Sequence, residues 1–458
     1  MFMIKGIASA ELKSCVPLLV LLLVTSLLPL VSFGNFSWHD QQRIGQIALG
    51  FIVLCALIYV RDVQELGSGT VVGVVFLIFL GVASALQQSY WLWGLAEVSL
   101  FVLNFGLVLF VSSYFQNNRM LSEWLLLMSL RLICVVFVIR LLVYASVELY
   151  SPSEGFHPWN LVDGFSNPRF QGHFFTLALP ILFFVRSTSY VRDWRLFFDV
   201  SLCVMCSALV FIAGTRGTLL AWCCVSAVFL VGKSKYRSAV LKFLMVVLLG
   251  YIVATLFIYL GGHESGWRFS GAQTLIGLSA RELLWWEASD KIVESPFFGV
   301  GPMGFASLGN IAGNHPHQVI LQFAVEWGLP AALLAAYMLG RFFLHCHRAI
   351  GGVMSAPDLK AFGLYFAVLA ANIQAMVDGV YVMPYSQTWL AIVTGALFGV
   401  CVLNRSAANI SVKMVMVAIM VAAQACLLFV VCRDASDLIY DQQRQLLPRF
   451  WLNGDLSR

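Results

Sequence analysis

Residues 239–260 read Ala-Val-Leu-Lys-Phe-Leu-Met-Val-Val-Leu-Leu-Gly-Tyr-Ile-Val-Ala-Thr-Leu-Phe-Ile-Tyr-Leu, an apolar run broken by a single charge, Lys242. A helix rising ~1.5 Å per residue over such a run reaches across the ~30 Å hydrocarbon core of a bilayer. Runs of the same kind recur at about 16–33, 44–60, 69–86, 91–113, 124–146, 171–189, 196–213, 217–232, 319–344, 361–380, 385–403 and 411–432. The stretches 44–60 and 217–232 are short, so the sequence predicts an all-α, polytopic membrane protein of 12 or 13 transmembrane helices. A transmembrane β-barrel would instead show short segments of alternating hydrophobicity. Of the 458 residues, 60% are hydrophobic and 11% charged, against roughly 25% charged in a soluble domain. Such a chain could not cover itself with polar groups, which excludes a soluble enzyme, a disordered protein and a secreted disulfide scaffold. Most of the eleven cysteines lie inside the apolar runs, the Cys203-x-x-Cys206 pair included, and read as small packed thiols.

The positions of the cations give the orientation. With Lys5 and Lys13 placed in the cytoplasm, the same side holds Arg61, Arg119, Arg186, Arg192, Arg195, Lys233, Lys235, Arg237, Arg341, Arg348, Lys360, Arg405 and Lys413. The short connections on the other side hold Arg43, Arg169 and Arg216. The predicted organisation is therefore N-terminal membrane helices over 1–260, a large extracytoplasmic loop over 261–318, C-terminal membrane helices over 319–432, and a tail over 433–458. No cleavable signal peptide is expected, since the first run lacks a small-residue cleavage site. No repeat suggests the inverted halves of a secondary transporter. No basic block suggests nucleic acid.

The candidate functional residues collect on the outer side. Arg216 stands at the mouth of a hairpin, in Ala213-Gly-Thr-Arg-Gly-Thr218, where a cation needs a partner or solvent. Gly214 and Gly217 would let another group approach the backbone, and a guanidinium fork matches phosphate oxygens. The competing reading is a snorkelling anchor. Arg281 opens an amphipathic stretch with Leu283, Leu284, Trp285, Trp286, Ile292 and Val293, read as an interfacial helix; an ordinary surface arginine paired with Glu282 or Asp290 is its competitor. His315-Pro-His317 lacks a further ligand at suitable spacing, so no metal is expected. His317, at the outer end of the 319–344 run, suits a general base, its pKa lying near working pH; a helix cap is the alternative. Glu97, Arg131, Arg140 and Asp378 fall within apolar runs. Arg140 and Asp378 lie near the outer ends, where they would either line a head-group cavity or neutralise each other. His39, His173 and His263 are scattered.

His317-Gln318, followed by nine residues and Gly328-Leu-Pro-Ala331, resembles the signature of the O-antigen ligase and polymerase superfamily, with Ala331 a small departure at the last position. The Gly-Thr-Arg216-Gly pattern and the Arg281…Trp285…Pro296-Phe-Phe-Gly-Val-Gly-Pro-Met-Gly304 stretch are similar to that superfamily's arginine at a span start and its large periplasmic loop. The resemblance covers about 160–330. It implies an inverting, metal-independent glycosyltransferase of GT-C-like fold, with no cofactor, in a bacterial inner membrane with its active site facing the periplasm. It implies that Arg216 and Arg281 hold the diphosphate of an undecaprenyl-diphosphate-linked glycan and that His317 assists the attacking hydroxyl. Arg169, Arg140 and Gln318 are further candidates for substrate contacts. The segments His39–Arg43, Asn167–Phe170 and Glu326–Gly328 look most like pilin-glycosylating transferases, which act on Ser or Thr. A ligase acting on lipid A–core and a polymerase are the alternatives within the superfamily. A flippase for lipid-linked sugars is the alternative from another class.

Overall fold

The computed structural model describes residues 14–34, 36–59, 67–150, 161, 163–186, 194–232, 234–260, 281–309, 313–351, 358–401, 410–434 and 448–452. Lys5, Lys13, Arg61, Arg192, Lys233, His263, Arg405, the 261–280 part of the loop and the side chains of Arg186 and Arg195 lie outside this set. Fifteen α-helices and no strand occur among the described residues. They are α1 (Val16–Leu27), α2 (Trp38–Tyr59), α3 (Ser68–Ala85), α4 (Trp91–Asn117), α5 (Arg119–Tyr150), α6 (Pro168–Arg186), α7 (Trp194–Ile212), α8 (Arg216–Val231), α9 (Arg237–Leu260), α10 (Arg281–Glu294), α11 (Val319–Trp327), α12 (Leu329–Gly351), α13 (Leu359–Gln374), α14 (Pro384–Cys401) and α15 (Ile410–Asp434).

Each apolar run of the sequence holds helix over much of its described residues. Seven of the helices, α2, α3, α4, α5, α9, α12 and α15, are long and apolar enough to cross a membrane by length and composition; α1, α7, α8 and α13 are apolar but shorter. The chain is thus an all-α, multi-pass membrane protein. At one end of the bundle Arg119 bridges Glu123 and Asp358 (both 2.7 Å), and Lys360 reaches Glu123 at 2.8 Å. Tyr236 donates to the carbonyl of Ile350 at the same set of loops (3.1 Å). Segments read from the sequence as cytoplasmic therefore meet at one end.

Packing of the central helices follows their small and aromatic residues. Gly395 and Gly399 on α14 face the backbone of α4, where a Cβ would lie 2.6 Å from the Val108 carbonyl and 2.5 Å from that of Ser112. This is the close approach that small residues four apart permit between membrane helices. Phe174, Tyr385 and Trp389 pack their rings together where α6 meets α14. Within the apolar runs, Arg131 forms a two-pronged pair with Asp199 of α7, both contacts 2.7 Å.

Two elements depart from the sequence reading. The polar segment 34–43, read as an outer connection, is largely the start of α2: Ser37 Oγ accepts from the Asp40 amide (3.1 Å), as an N-terminal cap does. His39, Asp40, Gln41, Gln42 and Arg43 are all buried there. The run 319–344 is not continuous either. It breaks at Gly328 (φ +88°), where a side chain would meet the Phe297 carbonyl at 2.1 Å. Pro330 then sits in the first turn of α12, a position that tolerates it. The Leu329 amide donates to Pro296 O and the Val300 amide to Val325 O, so the Pro296–Gly301 stretch clasps the α11–α12 break.

Candidate active site

Three helix N-termini, each bearing an arginine, lie near one another, and one of these arginines, Arg169, lines a pocket. Arg169 is the second residue of α6, Arg216 the first of α8 and Arg281 the first of α10. Asn167 caps α6 by accepting from the Arg169 amide (2.9 Å), with Pro168 at the first helical position. Beneath the pocket, Thr176 of α6 shares hydrogen bonds with Thr218 of α8 (3.0 Å) and Gln374 of α13 (2.6 Å), which fixes these helix ends relative to one another. The helix N-terminus is electropositive, so a cation placed there raises the local potential further and suits an anion. Burial lowers the Arg281 pKa, Asp378 opposes that, and the like charges of Arg169 and Arg216 lower it again.

His317 lies two residues before α11 in the left-handed region (φ +56°), a conformation uncommon for a non-glycine residue. Its amide donates to His315 Nδ1 at 3.2 Å, and the two rings are 3.9 Å apart between centroids. Trp285 of α10 donates to the Pro316 carbonyl (2.9 Å), tying the Arg281 helix to the histidine turn. The Val319 amide donates to Ala375 O (3.0 Å), joining the same turn to the end of α13.

Asp378 completes the cluster. Helix α13 ends at Gln374, so Asp378 lies in the turn beyond the helix. Its Oδ2 is 3.3 Å from His173 Nε2 and its Oδ1 3.8 Å from His317 Nδ1. Burial alone would raise the Asp378 pKa, yet the His173 and His317 imidazoles hold it well below the usual carboxylate range. Burial also lowers the His317 pKa, with Asp378 pulling it back up and Arg281 and Arg169 pushing it down. These shifts favour the neutral imidazole and the ionised carboxylate, the forms in which the pair can accept a proton and stabilise the imidazolium. Gly217 permits this assembly, because a Cβ there would already stand 3.3–3.4 Å from Gln374 and Asp378. Arg169, His317 and Asp378 line a pocket of about 160 Å³ together with Asn314, Pro448 and Leu452.

The sequence candidates divide accordingly. Arg169, Arg216, Arg281 and His317 come together. Arg140 does not join them: it pairs with Asp163 (3.3 Å), donates to the Asp163 and Pro29 carbonyls and stacks over Phe137. Arg140 and Asp378 therefore do not neutralise each other. The Gln318 side chain is spent on its own helix, accepting from the Leu321 amide as the N-cap of α11. His173 and the acid–histidine contacts of Asp378 escaped sequence reasoning; the signal available was that a charge within an apolar run must find a partner. Among the described residues, no group of three or more His, Cys, Asp or Glu is placed to hold a metal ion.

Residues 201–336 match the family model described as O-Antigen ligase. The matched stretch carries Arg216, Arg281, His317 and Gln318, and ends before Asp378. No curated protein matches the chain.

Proposed function

We propose that this protein, whose residues 201–336 match the O-antigen ligase family model, is a glycosyltransferase that moves a glycan from undecaprenyl diphosphate to a hydroxyl acceptor by an inverting, metal-independent reaction on the periplasmic face. The observation that carries this reading is the convergence of three helix-borne arginines on the His317–Asp378 pair. The arginines bind the diphosphate and stabilise the charge that develops on it as the bond from the anomeric carbon to the diphosphate oxygen breaks. His317 takes the proton of the acceptor hydroxyl as that oxygen bonds to the anomeric carbon from the opposite face. Asp378 orients the imidazole and compensates its positive charge. The glycan remains in the water-facing pocket and the prenyl chain enters from the bilayer.

The acceptor we propose is a Ser or Thr of pilin. Two of the three segments that resemble pilin transferases have packing roles here: His39–Arg43 is buried at the start of α2, and Gly328 forms the α11–α12 break. The third, Asn167–Phe170, lines the candidate site. The deciding experiment is therefore transfer in vitro from one undecaprenyl-linked glycan, with pilin and lipid A–core offered in turn. Transfer to pilin that persists in EDTA is the expected result. Transfer to lipid A–core alone reassigns the acceptor, and activity that EDTA abolishes and divalent cation restores overturns the metal-free mechanism.

A further inference from the structure

Within the stretch read from the sequence as a tail, residues 448–452 are packed into the bundle. Phe450, Trp451, Leu452 and Arg449 are all buried, Arg449 with 1% of its surface exposed. The segment is held from three sides. From α2, Arg43 Nε donates to Phe450 O (3.2 Å), the Arg43 guanidinium lies over the Phe450 ring, and Asp40 accepts from the Leu452 amide (2.7 Å). From α15, Asp434 accepts from Trp451 Nε1 (2.8 Å). From α4, Trp93 packs on Phe450.

The fourth side is α11. Arg449 Nη2 forms a close ion pair with Glu326 and stands 3.7 Å from Glu97 of α4. With its amide oxygen turned toward the guanidinium, Gln322 accepts from Arg449 at 2.7 and 3.1 Å. Gln322 and Glu326 are four residues apart, so one guanidinium grips one face of a nine-residue helix at two successive turns. The residue five positions before Gln322 is His317. Pro448 and Leu452, on either side of the grip, line the same pocket as His317 and Asp378.

We propose that segment 448–452 is part of the catalytic pocket and that Arg449 is a positioning residue, holding α11 through Gln322 and Glu326 so that His317 stays registered against Asp378. A helix of nine residues is marginal by itself and takes its orientation from tertiary contacts. A sub-ångström to 1 Å displacement of a catalytic group costs up to roughly 100-fold in rate. An arginine that served only overall stability would instead lower the amount of folded protein and leave the turnover of each molecule unchanged.

The proposal rests on the transferase reading above, and its test separates the two. Arg449→Met, Arg449→Lys, Glu326→Gln and the Arg449→Met/Glu326→Gln double variant are purified at full length and compared with the parent protein at equal folded concentration. The expected results are a 10- to 100-fold fall in kcat for Arg449→Met, a donor KM within about twofold of the parent, and partial recovery in Arg449→Lys, which keeps the charge but not the fork. The double variant should be no slower than the slower single variant, because both break one interaction. Hydrogen exchange of the amides over 313–322 should quicken in Arg449→Met, a readout that needs no substrate. Unchanged exchange, or a loss confined to protein yield with kcat per folded molecule unaltered, overturns the proposal. If Arg449→Met does not accumulate, the near-isosteric Glu326→Gln decides, and an unaltered kcat there overturns it equally. Absence of transfer by the parent protein would overturn the transferase reading while the exchange comparison still decides the role of Arg449.

Discussion

Two arginine clusters, one gripping α11 and one near the turn that precedes it, differ in their partners. Around Arg43 and Arg449, two guanidinium groups meet the carboxylates of Glu97 and Glu326, the amide oxygens of Gln46, Gln387 and Gln322, and the carbonyls of Val382 and Phe450. Two cations face two carboxylates here, and Glu97, Gln322, Glu326 and Gln387 line a cavity of about 200 Å³. Near Arg169, Arg216 and Arg281 stands Asp378, itself shared by His173 and His317, and the helix ends add positive potential. In one cluster the guanidinium groups are matched by carboxylates and amide oxygens of the protein itself. The other gathers three arginines near Asp378, and under the proposed function it holds an anion. The residue type is the same; the balance of partners decides the role.

The largest expected effect lies in the cluster near Asp378. His317→Ala should reduce transfer by about 10²–10⁴-fold, the usual contribution of a general base, with donor binding retained. Transfer by membranes at matched expression, with donor binding followed separately, measures both; near-normal transfer by His317→Asn would return the histidine to the structural side of the comparison. Next come the arginines. Arg216→Lys should be nearly as harmful as Arg216→Ala, since a point charge does not replace a bidentate fork, and Arg281→Ala should weaken donor use. Wild-type behaviour of Arg216→Lys would make the cluster a diffuse positive field.

A smaller effect is the pH profile. His317 must be neutral to accept a proton, and its pKa is lowered from 6.5 by burial. Transfer should therefore be level around neutrality and fall only on acidification through a value below 6.5. Asp378 raises the His317 pKa, so Asp378→Asn should move the acid limb to still lower pH and reduce the plateau, because the base is weaker. An acid limb that moves upward in Asp378→Asn contradicts the pairing. The smallest effect is expected for Arg140, whose partner Asp163 is largely exposed. Arg140→Gln should change stability by no more than ~1 kcal/mol and leave transfer at the parent level, as assayed in the same membranes; a marked loss of donor use would bring Arg140 back into the site.

The fold class was legible in the residues themselves, and so were three residues that the candidate site brings near one another. Hydrophobic runs report burial directly, because nothing but lipid or protein interior accepts them. The cation asymmetry groups loops that the structure brings together at one end. Arg216 and Arg281 were visible as charges at helix starts, where the energetic conflict is local, and His317 as a titratable group at an apolar boundary. What sequence reasoning missed was partnership. Asp378 and Arg140 are both charges near the outer ends of apolar runs; their true partners, His173 and Asp163, are distant in sequence and give no periodic signal. His39–Arg43 read as a connection because polar composition indicates water unless a second segment, here 448–452, arrives to cover it. The break at Gly328 depends on the Phe297 carbonyl lying 2.1 Å from where a Cβ would stand, a contact no local propensity encodes. Local chemistry thus determined which residues could act, and the packing of α6, α8, α10, α11 and segment 448–452 decided which ones meet, since pairing a buried charge is a long-range constraint that only the assembled bundle resolves.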